Sequence, residues 1–136
     1  MHFRFALALA AMLFAAPAMA QDGSDQDEPR WSFAIHGGAG TILRENMSAE
    51  QEAQYRAALD AALSAGEDIL QGGGSAMDAV TAAITLMEDD PKFNAGRGAV
   101  FTWDGTIEHA AALMDGRERA AGAITGTSTV RHPILL

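Results

Sequence analysis

Hydrophobic and polar positions along the chain change period several times, and each change marks an element. Trp31, Phe33 and Ile35 alternate with smaller residues and run into glycines, which predicts a first strand over 31–36. Tyr55, Leu59, Ala62, Gly66 and Ile69 then recur at helical spacing, predicting a long helix from about 49 to 70. Ser48 stands where an N-cap belongs, with Gln51 at the capping-box position. "GGG" at 72–74 ends that helix. A second helix begins after Ser75, with Met77, Val80, Ile84 and Met87 as its apolar stripe. "DDP" at 89–91 stops it, because the residue before proline leaves the α region.

Three strand-like runs follow. "AVFTW" leads to a turn at Asp104-Gly105, a second run spans about 106–114, and a turn at Asp115-Gly116 leads into "RAAGAIT". Aspartate-glycine pairs between apolar runs are strong hairpin signals. Pro133 suits the first turn of a further helix. The order of strand, two helices and antiparallel meander is an α+β layout, with helices on one face of a sheet.

The first twenty residues fit none of these patterns. "MHFR", the apolar "FALALAAMLFAA" and the small-residue ending "APAMA" have the layout of a secretory signal peptide, too short to span a bilayer. Residues 21–30, "QDGSDQDEPR", are polar and acidic and read as a disordered lead-in. Export to the periplasm or medium is therefore expected. The net charge of −9 becomes −10 once a leader containing Arg4 and no acid is removed. Such acidity disfavours phosphate backbones and anionic lipid, so no nucleic-acid partner and no membrane association after leader removal are expected. There is no cysteine, which excludes disulfides, thiolate catalysis and Cys-ligated zinc.

Short motifs taken singly decide little. "HGGAG" (36–40) opens a dinucleotide-like pattern, but the third glycine position is Leu43 and no helix follows at once. An ester-hydrolase oxyanion loop would need a G-x-S-x-G elbow, which the sequence lacks. By itself the motif reads as a strand-end turn with a buried histidine. "GGGSAMD" (72–78) has no lysine after its glycines and reads as a cap and linker. His2, His36, His109 and His132 are too scattered for a metal pattern, and Thr127 in "GTST" reads as a strand-end residue. In "PKFNAGRGAVF" (91–101), Gly96 and Gly98 permit a curled backbone whose carbonyls could meet a hard cation. A tight helix-to-strand connector with Arg97 solvated fits equally, and spacing alone does not choose.

Read together, "AIHGGAGT" (34–41), "GGSAMDAVTAAITLMEDDPKFNAGRGAVFTWDGTIE" (73–108) and "MDGRERAAGAITG" (114–126) resemble the isoaspartyl peptidase/L-asparaginase family, the plant-type asparaginases among the N-terminal-nucleophile hydrolases. The resemblance covers essentially all of 31–136 and is specific as a set. It implies a four-layer αββα sandwich built from a precursor that cuts itself before a threonine in a "GTVGAV"-like segment. The exposed threonine would attack with its own α-amine as base, hydrolysing the β-amide of asparagine or β-aspartyl peptides. No such segment occurs in the 136 residues. The expectation is therefore the N-terminal portion of an α subunit, truncated before the catalytic threonine and inactive alone.

The resemblance implies roles for residues that are present. Gly37, Gly38 and Gly40 match a glycine gate loop that affects self-cleavage, and Asn94 matches an active-site asparagine beside the nucleophile. The backbone carbonyls of Met87, Glu88, Asp90, Phe93, Ala95 and Arg97 match a loop that binds a structural sodium ion. No organic cofactor is implied. The substrate is a small molecule or dipeptide and the assembly an (αβ)2 unit. One departure is "EHAAA" (108–112), where Ala110 and Ala112 replace an acid and a small polar residue frequent in the family. The competing expectations are a non-catalytic exported remnant or small binding module and, against the charge, an anion- or nucleotide-binding domain.

Overall fold

In a computed structural model of the chain, residues 31–38 and 43–136 are described. The leader, the lead-in and Gly40 lie outside them. Two α-helices, α1 (Ala49–Gln71) and α2 (Ala76–Asp89), are followed by an antiparallel pair, β1 (His109–Asp115) and β2 (Ala120–Thr127). Short 3-10 turns occupy Arg44–Asn46, Gly96–Gly98 and Pro133–Leu135. Helix and strand are mixed as the α+β pattern predicts.

Local chemistry sets the bounds of α1. Ser48 Oγ accepts from the Gln51 N–H at 3.2 Å, and Gln51 Oε1 accepts from the Ser48 N–H at 2.9 Å. This reciprocal box satisfies two donors that the first turn leaves without helical partners. At the other end Gly73 takes φ +79, and the Gly73 and Gly74 N–H groups return to the Leu70 and Ile69 carbonyls at 3.1 and 2.8 Å. That is a Schellman closure, and its left-handed residue favours glycine. Ser48→Ala is expected to cost about 1 kcal/mol, read as a lower urea midpoint at unchanged slope.

The face predicted for α1 holds its buried residues, Ala62 and Gly66, with Tyr55, Leu59 and Ile69 half-buried. On α2 the outcome differs. Ala79 and Ala83 are its buried apolar residues, while Met77, Val80, Ile84 and Met87 are half-buried. Size in the sequence overstates burial here. The large stripe instead faces a cleft bounded by residues 33–36 and another bounded by the β1–β2 hairpin.

The predicted strand at 31–36 is corrected. Burial alternates along it as expected, but it has no ladder partner among the described residues and is not a strand. It packs on the helices, with the Phe33 ring so close over Gly66 that a β-carbon there would fall 2.2 Å from Cε1. The first meander run reduces to a single bridge, Phe101 to Ile107, around a turn in which Gly105 takes φ +75. The second turn is longer than the two-residue type. Asp115 pairs with Ala120, and between them Asp115 Oδ1 accepts from the Arg117 N–H at 2.9 Å while Arg119 takes φ 54. The register shifts between His109 and Ala111, where β2 carries the extra residue and Gly126 takes φ +71.

Candidate active-site loop

The loop after α2 is shaped by three local devices. Pro91 forces Asp90 off the helix at φ −100, ψ 116. Asp90 Oδ1 then accepts from the Lys92 N–H at 3.0 Å, and its carboxylate holds the Lys92 ammonium at 2.9 and 3.0 Å. These bonds from Lys92 hold the Asp90 carboxyl below the usual carboxylate range. Next, the Ala95 N–H reaches the Phe93 carbonyl at 2.8 Å, so the chain folds tightly about Asn94. Finally the glycines close the curl. Gly96 takes φ +48, and a β-carbon on it would lie 2.2 Å from the Glu88 carbonyl oxygen. One on Gly98 would lie 2.1 Å from the Phe93 oxygen and 2.7 Å from that of Pro91.

Phe93 anchors the loop. It is 4% exposed and meets Tyr55 edge-on, with ring centroids 6.4 Å apart at 85°. Its ring also reaches Gly37, where a β-carbon would stand 3.5 Å from Phe93 Cε1 and 3.0 Å from Leu59 Cδ2. Gly37 and Gly38 thus adjoin the loop across a cleft of about 410 Å³ lined by His36, Gly37, Gly38, Tyr55, Arg56 and Phe93 among others. Gly38 takes φ +107, a conformation that L side chains rarely adopt. His36, expected as a buried histidine, is exposed and builds the turn itself: its Nδ1 accepts from the Gly38 N–H at 3.1 Å.

Asn94 is exposed and is not among the residues lining that cleft. Its Oδ1 accepts from the Val100 N–H at 2.9 Å. A backbone N–H can only donate, so the oxygen must face Val100 and the NH2 group is the part of the carboxamide turned to other partners.

The carbonyls implied for sodium are partly engaged. Those of Met87, Asp90, Phe93 and Ala95 each accept one backbone N–H, at 3.3, 3.2, 2.8 and 3.0 Å respectively. A carbonyl oxygen has a second lone pair, so each retains acceptor capacity. The two glycines bring their backbone close to the Glu88 and Phe93 oxygens. Among the described residues no cluster of His, Asp or Glu is suited to a metal ion. Backbone oxygen is the donor type that a hard cation takes, and these carbonyls are of that type. Arg97 is exposed, as its solvated reading expects.

The resemblance names Glu88 for its carbonyl and says nothing of its side chain. Glu88 is 3% exposed, and its Oε1 accepts from the Ile134 N–H at 3.0 Å across 46 residues of chain. Burial pushes this carboxyl up, and the Ile134 bond opposes the rise. Glu88 Oε2 and Thr127 Oγ1 are buried without a hydrogen-bond partner among the described residues. Asp89 beside it binds the Arg131 Nε and Nη2 at 3.0 and 2.9 Å and lies 3.0 Å from His132 Nε2. The His132 and Arg131 contacts hold the Asp89 carboxyl down. One signal could have flagged the pair: two acids in the last turn of a helix oppose its dipole and need partners elsewhere.

Residues 29–136 match the protein family described as asparaginase. The isoaspartyl peptidase of Salmonella typhimurium is 54% identical over 103 residues, covering 76% of this chain and 33% of the relative. That of Escherichia coli is 52% identical over 103 residues, covering 76% and 32%. The isoaspartyl peptidase/L-asparaginase of Homo sapiens is 41% identical over 103 residues, covering 75% and 32%. The chain spans about a third of the length of the curated relatives it matches. By this family match and these alignments, the chain belongs to the asparaginase family that includes the isoaspartyl peptidases.

Proposed function

We propose that the protein in which this chain occurs hydrolyses the side-chain amide of L-asparagine, or the β-aspartyl bond of isoaspartyl peptides. The chain supplies the N-terminal part of the α subunit of an αββα sandwich. The observation that carries this reading is the Asn94 carboxamide, fixed by Val100 with its NH2 turned to other partners. Relatives at 54% and 52% identity bear the name isoaspartyl peptidase, which supports the substrate class.

The nucleophile is a threonine freed by self-cleavage, outside the 136 residues, whose α-amine takes the hydroxyl proton. An amine suits that task because its ordinary pKa, about 7.7–8.0, lies near neutral pH. Asn94 stands beside the nucleophile and donates through its NH2 group. Gly37, Gly38 and Gly40 form the gate, of which Gly40 lies outside the described residues. The carbonyls of Met87, Glu88, Asp90, Phe93, Ala95 and Arg97 would hold a sodium ion, which would supply a fixed positive charge beside the loop. Export as an (αβ)2 assembly completes the proposal.

The test is hydrolysis of a β-aspartyl dipeptide and of L-asparagine, followed by release of free amino acid or ammonia. The intact protein is expected to turn over at least one of them, and the isolated 136-residue chain neither. A folded, self-cleaved protein inert to both would overturn the proposal, and turnover by the isolated chain would overturn its account of the nucleophile.

A further inference from the structure

Among the described residues Glu88 is the one buried charged side chain. Burying a carboxylate is expensive, and one hydrogen bond with a second oxygen left unpaired repays little of that cost. Such a group is poorly explained by stability alone. Its placement offers another explanation, because two segments far apart in sequence meet on this residue. The backbone oxygen of Glu88 seats Gly96, the pivot of the curled loop. Its side chain holds the Ile134 N–H at the start of the Pro133–Leu135 turn. Asp89 binds the same segment through Arg131 and His132. The last turn of α2 is thus pinned to residues 131–134 on one side and carries the Asn94 loop on the other.

We propose that Glu88 is a positioning residue: through its bond to Ile134 it fixes the end of α2, and through its carbonyl it sets the loop that aims Asn94. The step from loop to reaction rests on the proposed amidase reading, whereas the step from Ile134 to loop does not. A carboxylate is not required for this role. What is required is an acceptor oxygen at the right reach, so glutamine should serve and aspartate, one methylene shorter, should not.

The experiment compares Glu88→Asp, Glu88→Gln and Glu88→Ala in the intact protein. NMR reads amide exchange at Ile134 and Val100, with the Asn94 side-chain NH2 signals. With aspartate, exchange at both amides is expected to rise about tenfold together and the Asn94 signals to move, while α1 amides stay protected. Glutamine is expected to restore both amides to within about threefold. Where wild-type turnover is measurable, aspartate should lower kcat about a hundredfold at little changed KM, and glutamine should recover most of it. Glu88→Ala is expected to match aspartate, and if it unfolds, the aspartate–glutamine contrast decides. The proposal is overturned if Ile134 is released while Val100 and Asn94 are unmoved, or if glutamine behaves as aspartate does. A wild-type protein without turnover would remove the amidase reading, and the two exchange rates would still decide the placement.

Discussion

Replacing Gly96 by alanine is expected to destabilise the protein by about 3 kcal/mol or to prevent folding. Two costs combine. At φ +48 any L side chain is strained, at about 1–2 kcal/mol. The added β-carbon would also lie 2.2 Å from the Glu88 carbonyl oxygen and 2.8 Å from the Glu88 carbonyl carbon. Those are backbone atoms at the end of α2 and cannot step aside alone. Gly105 separates the two costs: it takes φ +75 with nothing within 4 Å of where a β-carbon would stand, so Gly105→Ala bears strain only. Gly122 has open space and no positive φ, so Gly122→Ala should be nearly silent. Urea melts of the three variants should rank Gly96 well below Gly105, and Gly105 below Gly122. A Gly96→Ala protein as stable as Gly105→Ala would show that the loop does not close on α2 as described.

The helices were legible because their signals are local. Ser48, Gln51 and the 72–74 glycines act within a turn of the residues they cap, and their hydrogen bonds appear where the pattern puts them. Packing partners were less legible. Periodicity marks an apolar stripe on α2 but cannot say that Ala79 and Ala83 are buried while Met77 and Ile84 are half-buried and line clefts. The alternation at 31–36 marks an extended segment, yet a strand also needs a partner, and that information is not local. At the second turn Asp115 bonds Arg117 and Arg119 takes the left-handed region, so four residues occupy a turn expected to need two.

For the site, the same division holds. The crowding of Gly96 and Gly98 follows from a helix stopped by Pro91 and a chain that must turn back at once. Asn94 could be singled out only by resemblance, and its geometry then added the bond to Val100 that orients it. The Glu88 side chain escaped notice because its partner lies 46 residues away and is a backbone N–H, to which residue type gives no clue.

Asn94→Asp is the substitution expected to separate function from structure most sharply. Aspartate has nearly the shape of asparagine and keeps an oxygen for the Val100 N–H, so stability should shift by no more than about 0.5 kcal/mol. It loses the NH2 donor and brings a negative charge to the same place. If that donor stabilises charge developing on an oxygen during amide hydrolysis, its removal should lower kcat by about 10²–10³. Alanine removes both atoms, so it should lose comparable activity and about 1 kcal/mol of stability besides, with the Val100 amide set free. Kinetics on a β-aspartyl dipeptide, urea melts and gel separation of precursor from cleaved subunits should be run on the same preparations. On the proposed self-cleavage, the gel matters because a variant that failed to cut itself would be silent for a different reason, and only a cleaved fraction would report on the donor. An Asn94→Asp protein that cleaves itself and keeps kcat within tenfold of wild type would remove Asn94 from the chemistry and leave it a loop-closing residue.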